Sequence, residues 1–151
     1  MFRNMRRINQ QLPMEETIAI FENGTSGTLA LLGDDGYPYT VPINYVYSDG
    51  NIYFHSATEG HKIDAIRNYD KASFCVVDAD DVVPEEFTTY FRSAIAFGRI
   101  KLIEDGDRKH SAIQMLAEKY SSDQGARIEH VINQYANVLT MIELEIEHMT
   151  G

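Results

Sequence analysis

The spacing of hydrophobic positions changes several times along the chain, and each change marks an element. Met14, Ile18 and Phe21 recur at i, i+4 and i+7, one face of a helix, with Pro13 at a tolerated first-turn position and Gly24 as a stop. Strand patterns follow. Gly27–Leu32 is an apolar run ended by the turn-forming Gly33-Asp34-Asp35-Gly36. Tyr37–Tyr47 alternates, with Tyr39, Val41, Ile43 and Tyr45 on one face and Thr40, Pro42, Asn44 and Val46 on the other, up to a second turn at Ser48-Asp49-Gly50. Asn51–Ala57 alternates again. These three strands read as consecutive hairpins that open an antiparallel meander.

Near Gly60 the period lengthens from two to 3.6, predicting a helix over Gly60–Asn68 with Ile63 and Ile66 inward. Lys71–Asp78 reads as a strand, Asp78-Ala79-Asp80-Asp81 as a solvated turn and Val82–Glu86 as a connection. Phe87–Glu104 is too long for one regular strand. It holds two strands or one strongly bent strand, with Gly98 marking a bend or a close backbone approach. Ile113, Leu116, Ala117 and Tyr120 predict one helix, and Ile128, Val131, Ile132 and Tyr135 a second, separated by Ser121–Gly125. Val138–Glu147 returns to strand alternation. The sum is a mainly β, α+β chain, with about six antiparallel strands forming a small barrel with peripheral helices. Residues 1–151 make a single domain, of which 1–12, polar and basic, form a loosely held arm.

Composition narrows the function. The chain has 151 residues, enough for a real core, and 44% are hydrophobic. Thirteen Lys and Arg against 23 Asp and Glu give a net charge of −10, which repels nucleic acid. No apolar run reaches the length of a membrane span, and no signal peptide opens the chain. The single Cys75 lies in an apolar strand and reads as a buried structural thiol, in keeping with the cytoplasm.

Candidate chemistry concentrates in two stretches. In Phe54–Asp64 a strand ends, a polar loop follows and a helix begins. A helix start offers unpaired N–H groups and a partial positive charge, a natural seat for phosphate. Lys62 adds a full cation, His61 a further donor, and Ser56 and Thr58 hydroxyls. An ordinary helix start with a solvated Lys has the same local pattern. In the second stretch, Pro42 cannot donate to a sheet ladder, so its strand lies at an edge or is bulged. That frees neighbouring backbone groups for a ligand, or simply protects an edge. His55, just ahead of the loop, is the titratable group best placed to donate to a ligand, or else a hydrogen-bonded structural His. The sequence carries no nucleophile elbow, no dinucleotide or Walker fingerprint and no metal-ligand spacing.

Four segments occur in one order: Gly36-Tyr37-Pro38-Tyr39-Thr40-Val41-Pro42-Ile43-Asn44-Tyr45, Ile52–Ala57, Gly60-His61-Lys62-Ile63-Asp64 and Ser93–Gly98. In this the chain resembles the nitroimidazole-resistance branch of the pyridoxamine 5′-phosphate oxidase-like, FMN-binding split-barrel proteins, from about Arg6 to Gly151. The resemblance implies a six-stranded antiparallel split barrel that forms a homodimer, with FMN at the subunit interface. It places Tyr39, Thr40, Val41, Pro42 and Asn44 along the flavin ring, His55, Ser56 and Ala57 on the ribityl and ring side, and His61 and Lys62 on the phosphate. Arg92 and Ser93, with Ala94, would come from the second subunit. It implies an oxidoreductase reducing small electrophiles such as nitroimidazoles, with His55 as a proton donor. A flavin-binding sensor or carrier and a haem-binding relative are the rival readings. The residues that hold substrate phosphate in pyridoxamine phosphate oxidases are not matched in this sequence, which makes vitamin B6 oxidation the less favoured reading. Nine Tyr and seven Phe, many on strands, also exceed what so small a barrel can bury, which independently favours a dimer.

Overall fold

A computed structural model describes residues 1–151, apart from the side chain of Ala126. Helix α1 (Met14–Asn23) is followed by strands β1 (Ser26–Leu32), β2 (Pro38–Asn44), β3 (Val46–Ser48) and β4 (Asn51–Ser56). Helix α2 (His61–Asn68), strands β5 (Lys71–Val83) and β6 (Thr88–Leu102), helices α3 (Gly106–Ser121) and α4 (Gly125–Tyr135) and strand β7 (Thr140–Thr150) complete the chain. All strand pairs are antiparallel, in the order β2-β1-β5-β6-β7-β4-β3.

The predicted class holds, an antiparallel sheet with peripheral helices, but the strand count is seven rather than six. The difference lies in Tyr37–Tyr47, which the alternation reads as one strand. It divides at Tyr45: β2 pairs with β1 at one end of the sheet, while β3 pairs with β4 at the other. The meander therefore ends after one hairpin. The chain itself crosses between the two outer strands, and no ladder closes the sheet there.

Pro42 does lie on an edge strand, and the β1–β2 register runs without a shift from Ser26↔Asn44 to Leu32↔Pro38, so no bulge accompanies it. The acidic run read as a turn is strand: β5 continues to Val83, and a single short helical turn over Pro84–Glu86 joins it to β6. Paired extended strands place these carboxylates in solvent without a loop. β6 is one strand of 15 residues, with an irregularity against β7 between Phe97 and Gly98. A Cβ on Gly98 would overlap the backbone carbonyl of Glu145, so the close approach foreseen from the glycine is real.

The barrel core gathers alternate residues of every long strand with the inner faces of α1 and α2. Phe21, Leu29, Tyr45, Ile52, Phe54 and Phe74 have no exposed surface. Phe74 meets Tyr45 and Phe54 edge-on, with centroids 4.9 and 5.1 Å apart. A second cluster packs α3 and α4 on the outside of β7, around Ile113, Leu116, Ile132 and Met141. The buried carboxylate of Glu143 on β7 pins α3 in place through Arg108, with Lys101 at 3.7 Å. The N-terminal segment lies along the barrel: Leu12 donates its N–H to the Gly151 carbonyl at 2.8 Å, and Phe2 stacks on His148.

Gly98→Ala should destabilise the protein by about 1–3 kcal/mol, because a methyl is forced into packed backbone. Urea unfolding of both proteins measures this, and an unchanged midpoint would refute the close approach.

Candidate functional site

Two strand edges without ladder partners face each other in this fold. β2 pairs only with β1, so its outer edge is free among the described residues. β4 pairs with β7 along Asn51–Ser56 but with β3 only as far as Tyr53, which leaves Phe54–Ser56 open on that side. β2 and β4 approach across the gap.

Tyr45 bridges this gap at its closed end, and α3 satisfies its backbone. The Tyr45 N–H donates to the Tyr120 hydroxyl at 3.1 Å, and Lys119 donates to the Tyr45 carbonyl at 2.9 Å. The single proton of the Tyr120 hydroxyl is shared between the carbonyls of Tyr45 and Thr25, each 2.6 Å away. The Lys119 ammonium also sits 3.9 Å from the Tyr45 ring centroid, a cation–π contact. Burial pushes Lys119 down to about 8, while the ring face and the carbonyl favour its charged form. The Tyr45 hydroxyl donates to the Phe21 carbonyl at 2.6 Å, so the crossing residue is held from both sides.

The free edge of β2 carries Thr40, Pro42 and Asn44 outward, while Tyr39, Val41 and Ile43 pack toward the core. Along this edge Val41 has only backbone to offer a ligand, whereas Asn44 also has its amide. One N–H of that amide donates to the Thr25 carbonyl at 2.7 Å, which fixes its orientation. Opposite, Ser56 is buried at the end of β4, and Ala57 is exposed just beyond it. Asn44 and His55 line one cavity.

Helix α2 starts beside the same edge. Gly60 takes a φ of 134°, a conformation suited to glycine, and no side chain caps the helix. Among the described residues the N–H groups of His61, Lys62 and Ile63 have no hydrogen-bond acceptor, which leaves them free for an anion. The His61 ring stacks on Tyr39 with centroids 4.0 Å apart, tying the helix start to β2. Lys62 is half-buried, and burial lowers its ammonium below the usual range. The His55 imidazole is pushed down, first by desolvation and then by the charge of Lys62, although the residue keeps an exposed surface. His55 is therefore neutral at physiological pH.

Tyr39–Asn44, His55–Ala57 and His61–Lys62 thus come together within one chain. Arg92 and Ser93 do not join them; they line a different cavity, beside Arg7, Thr89 and Gly151. Arg92 there lies 3.8 Å from both Glu16 and Asp78. Ala94 is buried in the barrel. The sequence reading missed Lys119 and Tyr120. Tyr120 fits the apolar stripe of its helix, and nothing local in the pattern shows a hydroxyl aimed at a strand break 75 residues away. Among the described residues no cluster of metal-binding side chains occurs, and no helix is long and apolar enough to cross a membrane.

The family model described as pyridoxamine 5′-phosphate oxidase matches residues 13–151. A comparison with curated proteins found no match. Among solved structures, the chain is similar to a proposed 5-nitroimidazole antibiotic resistance protein from Bacteroides thetaiotaomicron, at 20% identity and a TM-score of 0.75, covering 93% of this chain and 84% of that one. It is similar to the flavocytochrome Anf3 from Azotobacter vinelandii, at 18% identity and a TM-score of 0.83, over 98% of this chain and 71% of that one. It is also similar to an FAD and heme binding protein from Mycobacterium smegmatis, at 21% identity and a TM-score of 0.79, over 93% and 71% of the two chains. At these identities the likeness is one of fold.

The electrostatics of the gap can be read directly. In an NMR pH titration His55 should protonate below its ordinary value of 6.5, and Lys62→Met should move it part of the way back, since desolvation remains. A His55 titration unchanged by Lys62→Met would show that the two groups are not coupled.

Proposed function

The chain belongs to the pyridoxamine 5′-phosphate oxidase family, and from that premise we propose that it is an FMN-dependent oxidoreductase that reduces small electrophiles, nitroimidazole-type compounds among them. The observation that carries this reading is the convergence of an unpaired strand edge and an uncapped helix start on one gap. A planar, phosphorylated cofactor suits it. The β2 edge offers backbone groups and the Asn44 amide to a ring with hydrogen-bonding atoms along its rim, and the α2 start with Lys62 offers N–H groups and a cation to a phosphate.

Bound FMN would supply two-electron chemistry, accepting a hydride from a reduced nicotinamide and passing electrons to the acceptor. The residues of this chain bind, orient and manage protons. Thr40, Pro42 and Asn44 orient the ring, Ser56 and Ala57 border the ribityl chain, and His61 and Lys62 hold the phosphate. His55, beside the cavity, exchanges a proton with the acceptor.

The second half of the reading is a homodimer with FMN at the subunit interface. The β5–β6 arm supports it: Val82, Phe87, Tyr90 and Phe91 are 57–98% exposed, surplus apolar surface of the kind that interfaces cover. In that assembly Arg92 and Ser93 serve the partner's site, which accounts for their absence from the gap of their own protomer. The lone thiol and the acidic surface suit the cytoplasm.

The purified protein should show the two visible bands of oxidised flavin, acid should release FMN, and the protein should oxidise a reduced nicotinamide with a nitroaromatic acceptor. A Soret band would transfer the site to haem, release of FAD would replace the cofactor, and bound FMN without turnover would leave a carrier or sensor. Lys62→Ala should weaken FMN roughly ten- to hundredfold through loss of a charge-assisted hydrogen bond, and riboflavin less. His55→Ala should reduce turnover more than FMN affinity; full activity in that variant would make His55 structural.

Phe91→Asp should convert the dimer to monomer in sedimentation and weaken FMN binding together with it. A monomeric wild-type protein that still binds FMN would end the shared-site arrangement.

A further inference from the structure

The cavity that begins at Asn44 and His55 does not stop at the gap. It runs outward under α3 and α4 with a volume of about 360 Å³. A second cavity of about 320 Å³ adjoins it and shares the walls Ala117, Ser121 and Val131. We read the two as one passage along α3 and α4, with Gln124 and Arg127 at its outer end and His55 at its inner end.

The linings of the two parts differ. The inner chamber is walled by Leu116, Val131, Leu139 and Met141, with Asn44, His55 and Tyr120 as polar lining and Ser121 where it meets the outer cavity. No Lys, Arg, Asp or Glu lines it. Lys119, the nearest cation on α3, is directed to the Tyr45 carbonyl and ring instead. His55 is held neutral, as described above. With Lys119 so turned and Lys62 acting on His55 from outside the chamber, an ionised ligand gives up its water for a distant counter-charge at best, whereas an apolar ligand gives up little by entering. The volume falls within the range of small-molecule sites.

We propose that the passage between α3 and α4 is the binding site for a small, neutral aromatic molecule, which seats its polar group against His55 and Tyr120, and that Val131 and Ala117 at its waist set which ring sizes enter. The inference rests on the flavin reading only for what the occupant does there, as acceptor of electrons. Its binding does not depend on that reading.

The test is therefore one of binding. The probes are 2-naphthol, neutral at pH 7, and 2-naphthoate, the same ring system with an ionised group. Each is titrated by ligand-observed NMR into the full-length protein, both free of flavin and saturated with FMN. 2-Naphthol should bind in both states, and 2-naphthoate at least about tenfold more weakly. Val131→Trp, a change on the half-open face of α4, and Ala117→Phe, at the same waist from α3, should each weaken 2-naphthol about tenfold or more by filling the passage, with the unfolding midpoint and FMN affinity retained. Equal binding of the two probes, indifference to both variants, or displacement of 2-naphthol by FMN would overturn the inference, the last by giving the chamber to the cofactor. A protein that takes 2-naphthol in this way but binds no flavin would keep the site and lose the proposed function. One that binds FMN and no 2-naphthol would do the reverse.

Discussion

A buried peptide must find partners for its N–H and C=O, and at Tyr45 the sheet supplies none. There the chain leaves one outer strand and enters the other, so the ladder that satisfies its neighbours is interrupted. Lys119 and Tyr120 supply the missing partners from the last turn of α3. Much else follows from this substitution of a helix end for a strand. The barrel can stay split because its crossing point is satisfied. The two strand edges can stay unpaired beside it, and α3 is brought over the gap, where it roofs the cavity that starts at His55. The Tyr45 ring completes the arrangement by filling the barrel core while its hydroxyl is bound at Phe21.

The periodic elements were legible because periodicity reports burial, and burial follows the barrel. α1, β1, β4 and α2 lie within a residue or so of where the spacing puts them, and Gly98 marks a real contact. The strand break was not legible. Alternation through Tyr37–Tyr47 continues across Tyr45, since both halves bury the same face, and a change of pairing partner leaves that alternation intact. The acidic run misled for a related reason. Asp78–Asp81 looks like a turn by composition, yet a two-stranded arm in water needs no apolar face there. Of the site, the elements could be named from sequence because each carries its chemistry locally: a proline on a strand, a lysine at a helix start. The pairing of β4 and α3 around a common cavity is tertiary and left no local trace.

The overall charge of −10 opposes an anionic ligand, so a phosphate in the gap would need local positive potential. Between Phe54 and Asp64 only Lys62 is a full cation, and Glu59 and Asp64 offset it in part. The uncapped N–H groups of α2 act at short range, where the distant carboxylates are screened by solvent and salt. His61 contributes differently from a cation. Its ring is stacked on Tyr39, so it joins the helix start to the edge of β2 and keeps the two halves of the gap in register.

Lys62 also governs His55. Its charge is the second cause, after desolvation, of the lowered imidazole pKa, and both favour the neutral form. A phosphate seated on Lys62 would bring a compensating negative charge to the same place. That cancels the coulombic part of the shift and leaves desolvation, and the imidazole then binds a proton more readily. On the proposed reading the coupling would have a definite sign: proton affinity at His55 would rise with phosphate at Lys62, and by linkage a protonated His55 would favour that phosphate in return.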